Sequence, residues 1–178
     1  MVYYVYDSNS EYMKVYTMSN LKLMFFTLFI TFLFTSNTYA KDYSYYQEYC
    51  EPIRKEVQEI LEEMYVSKDY FFLLVAESHC QNRTSRAGAK GMWQMMPSTA
   101  KAFGCSDFND LDCLTRAAAR YLLHLEKKCG KEYVIFCWHD GGSNFLIKRN
   151  KVPTSGAKGL NKQFKHFLKS FYKSKKNE

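Results

Sequence analysis

The chain has 178 residues, 47% hydrophobic and 17% aromatic side chains, six cysteines and a formal net charge of +7. That length suits one compact domain, and so much apolar surface excludes a polar disordered chain. No internal repeat and no alternating apolar and polar run of any length occurs, so the expected fold class is mainly α.

Residues 23–34 are apolar except for two threonines, follow Lys22 and precede the polar stretch 35–38. A membrane-crossing helix needs about 20 such residues, so this run reads as the core of an export signal more readily than as a retained anchor. Thr38 and Ala40 supply small side chains at the two cleavage positions, which makes Lys41 the expected first mature residue and residues 1–40 the signal-bearing segment. Residues 1–17 carry Asp7 and Glu11 and do not resemble a basic leader, so both Met1 and Met18 stand as starts. All six cysteines follow Ala40, which fits an exported protein of the periplasm or cell envelope with disulfides. Cys105 and Cys113 bracket the polar loop GCSDFNDLDC and are the one pair that can be proposed. No C-x-x-C pair supports a metal site, and no cofactor is expected.

In the mature part, Ile53, Val57, Ile60, Leu61 and Met64 recur at helical spacing between glutamates, which predicts an amphipathic helix within a segment 41–69. Asp69 is placed to cap the next helix, YFFLLVAES, whose apolar residues run all round the cylinder as in a buried helix. A polar loop over 79–86 follows, then a short helix over 98–103 that Gly104 ends. Leu114, Ala118, Tyr121, Leu122 and Leu125 share one face of a longer helix that Gly130 ends. EYVIFCWHDGG is one more apolar segment, and Leu160, Phe164, Phe167, Leu168 and Phe171 predict a last amphipathic helix with lysines opposite. The expected main domain is 70–172, with a basic tail over 173–178. Residues 141–178 hold ten lysines and arginines and one acidic residue, a distribution suited to an anionic envelope polymer or a membrane surface. Nucleic acid does not suit an exported protein.

Glu77 ends the most apolar of these helices. Desolvation there disfavours the charged carboxylate, and a carboxyl that stays protonated near neutral pH can act as a general acid. Alone, one such Glu can equally be a helix-end carboxylate facing water. Around it stand Ala76-Glu77-Ser78, then SRAGAKGMWQMMPSTAKAFG over 85–104 and TRAAARYLLHL over 115–125. These residues closely resemble the signature of the lytic transglycosylases, nearest to their membrane-bound D-type branch, across roughly residues 70–170.

The resemblance implies a lysozyme-like single domain, monomeric, that binds peptidoglycan glycan strands. It implies Glu77 as the single catalytic acid and base, and Ser78 as a residue orienting the substrate or the Glu. Met92 and Gln94 would line the sugar site, with Gly88 and Gly91 admitting the glycan close to backbone, while Trp93 and Met96 would pack. Three departures from the family pattern occur. The 77–85 spacing is one residue short, so Ser85 is not carried over as a ligand contact. Cys137-Trp138-His139-Asp140-Gly141 replaces Ala-Tyr-Asn-Ala-Gly, which puts Trp138 and His139 at the substrate side without the family's hydroxyl. Phe164 stands where another Tyr is common. The implied reaction cleaves the bond between N-acetylmuramic acid and N-acetylglucosamine with 1,6-anhydro ring closure. A goose-type hydrolase in which Asp140 or another acid activates water, and a non-catalytic wall-binding or secretion-associated protein, are the other readings. No serine-nucleophile turn and no H-E-x-x-H accompanies His139.

Overall fold

A computed structural model describes residues 2–5, 14–17 and 46–176. Of the expected signal-bearing segment, the apolar run 23–34 and the expected cleavage site between Ala40 and Lys41 lie outside the described residues. The chain divides into two units, 1–44 and 45–178. In the first, β1 (Val2–Val5) pairs antiparallel with β2 (Lys14–Thr17), Val2 opposite Thr17. Four-residue strands show too few residues for an alternation to emerge, which is why no strand was expected, although Val and Tyr favour extended backbone.

The second unit is helical apart from two isolated bridges, Thr84 with Lys90 and Lys90 with Met95. A wide turn over Tyr46–Cys50 leads into α1 (Glu51–Glu63), which buries Val57, Ile60 and Leu61. α2 (Phe71–Ser78) follows a tight turn that Ser67 caps, its hydroxyl accepting from the Asp69 N–H at 3.3 Å. Asp69, expected as the cap, instead accepts from the Tyr172 hydroxyl at 2.7 Å; the turn starts the helix two residues earlier than the apolar pattern does. α3 (Pro97–Ala102) opens on a proline whose fixed φ suits a first helical position. α4 (Leu111–Cys129) is capped by Asp110, which accepts from the Cys113 N–H at 2.9 Å. α5 is Val134–Asp140. α6 (Ser155–Lys175) is capped by Thr154 and continues three residues into the expected tail.

Phe71 to Ala76 are all buried, so α2 is the centre of the core, packed by α6 and α1, while α5 lies against α6 and α4. An eight-residue helix has too little intrinsic stability to hold itself, and these contacts are what define it. Three disulfides join Cys50–Cys80, Cys105–Cys113 and Cys129–Cys137. The first ties the start of α1 to the residue three beyond Glu77.

Candidate active site

Glu77 occupies the last turn of α2, where the only side chains before it are apolar. Burial pushes its carboxyl up to about 7, against lowering influences from His139, from a Trp138 hydrogen bond and from Arg83. A carboxyl balanced there is protonated for much of the time near neutral pH and can both give and take a proton.

Three segments bring these partners together. From α5, the Trp138 indole N–H donates to Glu77 Oε1 at 2.9 Å. Trp138 therefore supplies a donor to Glu77, although not the hydroxyl that the resemblance implies. Trp138 is 8% exposed and packs against Trp93 and Tyr121, with ring centroids 5.9 and 5.2 Å away. Trp93 is itself fully buried, its N–H donating to Thr115 Oγ1 at 3.0 Å. A ring so enclosed is a support for Glu77 and has little surface left for a glycan.

The second segment is the loop after α2. His79 (φ 55°) and Cys80 (φ 61°) both take left-handed backbone, which turns the chain sharply away from the helix end, and the Cys50 bridge holds that turn. Arg83 then returns its guanidinium to the Glu77 backbone oxygen at 2.8 Å. Gln94, itself at φ 49°, donates its side-chain amide to the Arg83 and Gly91 carbonyls at 2.8 and 2.7 Å. Its N–H₂ group is thus a clamp for the loop, and only its amide oxygen is left to face a ligand. Arg83 lay in a polar loop with no periodicity, and nothing in the sequence marked it.

The third segment follows Trp138. His139 Nδ1 lies 3.0 Å from Asp140 Oδ1, and Asp140 also accepts from the Thr154 N–H at 2.9 Å and hydroxyl at 2.6 Å. Burial raises the Asp140 carboxyl, but the Thr154 bonds and His139 outweigh it and leave it below the usual range. Its side chain is only 2% exposed, whereas His139 is 38% exposed. The ring of His139 lies over Gly156 of α6, where a Cβ would stand 2.7 Å from Cε1. Glycine at 156 is what lets the helix meet the imidazole.

The remaining expected residues separate. Ser78 is fully buried and donates to the Leu74 carbonyl at 3.1 Å, so of its two expected roles only orienting the helix end is open to it. Met92 is half-buried against the core. Met96 was expected to pack but is 45% exposed; Met95, paired with Lys90, points inward instead. A turn over 91–94, with Gln94 in left-handed backbone, leads into the bridge at Met95, and Trp93 and Met95 are buried while Met96 is not. Gly91 was expected to admit a glycan, yet a Cβ there would run into the buried Leu114 side chain, so internal packing requires it; Gly88 (φ 87°) faces open space. Ser85 closes its own turn by accepting from the Ala89 N–H at 3.0 Å. Phe164 stacks on Tyr70, centroids 6.2 Å apart. Among the described residues no cluster of His, Cys, Asp and Glu could hold a metal ion.

The family described as transglycosylase SLT domain matches residues 57–161, a span that takes in Glu77 and every one of these partners. No curated protein and no solved structure matches the chain.

Proposed function

From a chain that belongs to the transglycosylase SLT family, we propose an exported lytic transglycosylase that cuts between N-acetylmuramic acid and N-acetylglucosamine in peptidoglycan. The observation that carries this is the Glu77 carboxyl, raised to about 7 by burial beside a donor-only indole. An indole N–H can donate but not accept, so Oε1 is the acceptor in either protonation state and the acidic proton sits on Oε2. From Oε2 the proton passes to the bridging oxygen, and the C1–O bond breaks with its electron pair leaving on that oxygen. The substrate's acetamido oxygen stabilises the cation at C1, so no second carboxylate is needed. Ionised Glu77 then removes the C6 hydroxyl proton as that oxygen bonds to C1. The 1,6-anhydro ring closes, water is not consumed and Glu77 ends protonated as it began. His139, held by Asp140 and 38% exposed, presents its open edge to the bound glycan.

Asp140 is unsuited to activating water, because its oxygens already hold Thr154 and His139. Mass spectrometry of digested peptidoglycan tests the reading. Anhydro ends support it. Reducing ends, about 18 mass units heavier by one water, would establish hydrolysis, and glycan binding with no product would establish a retired site. The disulfides fit an oxidising compartment. N-terminal sequencing of exported protein should give Lys41 first; an intact N-terminus on membrane-bound protein would replace export by anchoring.

A further inference from the structure

Surface charges on α1 and in the first turns of α4 are largely answered by neighbours of opposite sign. Arg54 pairs with Glu51, Lys55 with Glu59, Lys68 with Glu62, and Arg116 with both Glu63 and Asp112. α6 is different. Lys158, Lys162, Lys165, Lys169 and Lys173 are all exposed, and the helix contains no acidic residue. At 100° per residue the five fall within an arc of about 80° and span about 22 Å of helix. None of them makes an ion pair among the described residues. The opposite face of α6, from Ala157 and Leu160 to Phe171, is the one turned to the core. The row is thus fixed in place by packing while its own charge is unanswered, and like charges at i and i+4 disfavour one another.

We propose that this lysine row is a docking surface for the peptidoglycan wall outside the cleavage site, through the carboxylates of its stem peptides. The proposal rests on the reading of the chain as a wall-cleaving enzyme, because that reading supplies a polymer with many carboxylates on one strand. Charge complementarity selects a polyanion. A lipid surface fits less well. Cationic faces that dock on membranes combine charge with large apolar side chains that insert. The one large hydrophobic residue exposed on α6 is Tyr172, and its hydroxyl is bonded to Asp69. Exposed Ile147 and Val152 sit instead in the segment that precedes α6, Ile147 in a helical turn over Asn144–Lys148. α6 also packs directly on α2, so a strand held on its outer face keeps the helix that carries Glu77 against the same wall.

Binding is measured with the full chain carrying Glu77→Gln, so that the wall is not digested, by sedimentation with insoluble peptidoglycan. The expected result is a dissociation constant at least ten-fold weaker for Lys162→Gln/Lys165→Gln/Lys169→Gln. An equal loss is expected when the wall carboxylates are amidated, and a steep loss as salt rises from about 0.05 to about 0.5 M. Circular dichroism confirms that the triple variant is folded; single Lys165→Gln, with a smaller loss, gives the same direction if it is not. Undiminished binding by the triple variant, or to amidated wall, overturns the proposal. So does tighter binding to phosphatidylglycerol vesicles or to a phosphodiester polymer than to the wall. Cleavage by the wild type is scored separately. Lysine-dependent binding without cleavage would remove the enzymatic reading and leave the docking surface, whereas cleavage with lysine-independent binding would do the reverse.

Discussion

Helices α2 and α6 pack against each other and treat charge in opposite ways. α2 carries one ionisable group, Glu77, and buries most of it, so that the surroundings set its proton affinity. α6 carries six lysines within Ser155–Lys175 and turns them to solvent, where each interacts weakly and is screened by salt. One interface thus separates a place where a single proton is controlled from a surface where charge acts only in number. The difference predicts that α2 substitutions act on chemistry and α6 substitutions on attachment.

The largest expected effect breaks the comparison if it fails. Glu77→Gln keeps the shape of the side chain but can neither donate nor recover the proton, and should lower release of soluble muropeptides on the order of 10³-fold. Lys162→Gln/Lys165→Gln/Lys169→Gln should leave turnover of a short soluble glycan within about two-fold, since exposed charges away from the site contribute little. A lysine variant that lost chemistry on the short glycan would erase the distinction.

Next in size is the tether that holds the end of α2. Cys50→Ser/Cys80→Ser opens a loop of separation 30 that closes three residues beyond Glu77. Unfolding in urea should show a loss of about 3 to 4 kcal/mol, from loop-closure entropy alone. The corresponding double variant at Cys105 and Cys113, with separation 8, should lose less. If the two losses were equal, the long tether would have no special hold on α2.

Burial of Glu77 also has a stability consequence that α6 lacks. Its carboxyl goes from the ordinary value near 4.5 when unfolded to about 7 when folded, so the native state binds the proton more tightly. The stability it confers is therefore complete below about 4.5, falls as pH rises, and is fully lost above about 7. At pH 8 the cost is about 3 kcal/mol, from 1.36 kcal/mol per unit. Glu77→Gln should accordingly be the more stable protein at pH 8, by up to that amount, and gain almost nothing at pH 4. Melting both proteins across this range measures it. An advantage that did not grow with pH would show that the carboxylate is solvated after all.

Most of α2 and α6 was legible in the sequence, because their patterns are long or extreme: an all-round apolar run for one, Leu160 to Phe171 at helical spacing for the other. The raised proton affinity of Glu77 followed from the same apolar run. What surrounds Glu77 was not legible, because its partners come from distant stretches of chain. Trp138 is 61 residues away, and the resemblance implies only a missing hydroxyl there, not an N–H donor. Cys50–Cys80, at separation 30, had no local loop to suggest it, and Cys129–Cys137, at the same separation of 8 as Cys105–Cys113, brackets a largely apolar stretch and not a polar loop. Residues such as Gly91 and Met96 were misplaced for a related reason. Family likeness marks a position as special without saying whether the neighbour it answers is a ligand or, for Gly91, Leu114.

The smallest effect isolates that indole. Trp138→Phe keeps an aromatic ring against Trp93 and Tyr121 but removes the donor to Oε1. The bond favours the ionised carboxylate, so its loss should raise the Glu77 pKa further. A net hydrogen bond of about 0.5 to 1.5 kcal/mol corresponds to a shift of up to about one pH unit. Because the reaction begins from protonated Glu77, activity that falls on the alkaline side should then persist to higher pH, even if the maximum rate drops. Trp138→Tyr can reach the same oxygen with a hydroxyl and should bring the midpoint back toward wild type. Measuring kcat/KM against pH for the three proteins decides it: a midpoint that moves down, or stays still while the rate falls, would mean that Trp138 acts only by packing and that Oε1 is satisfied by something else.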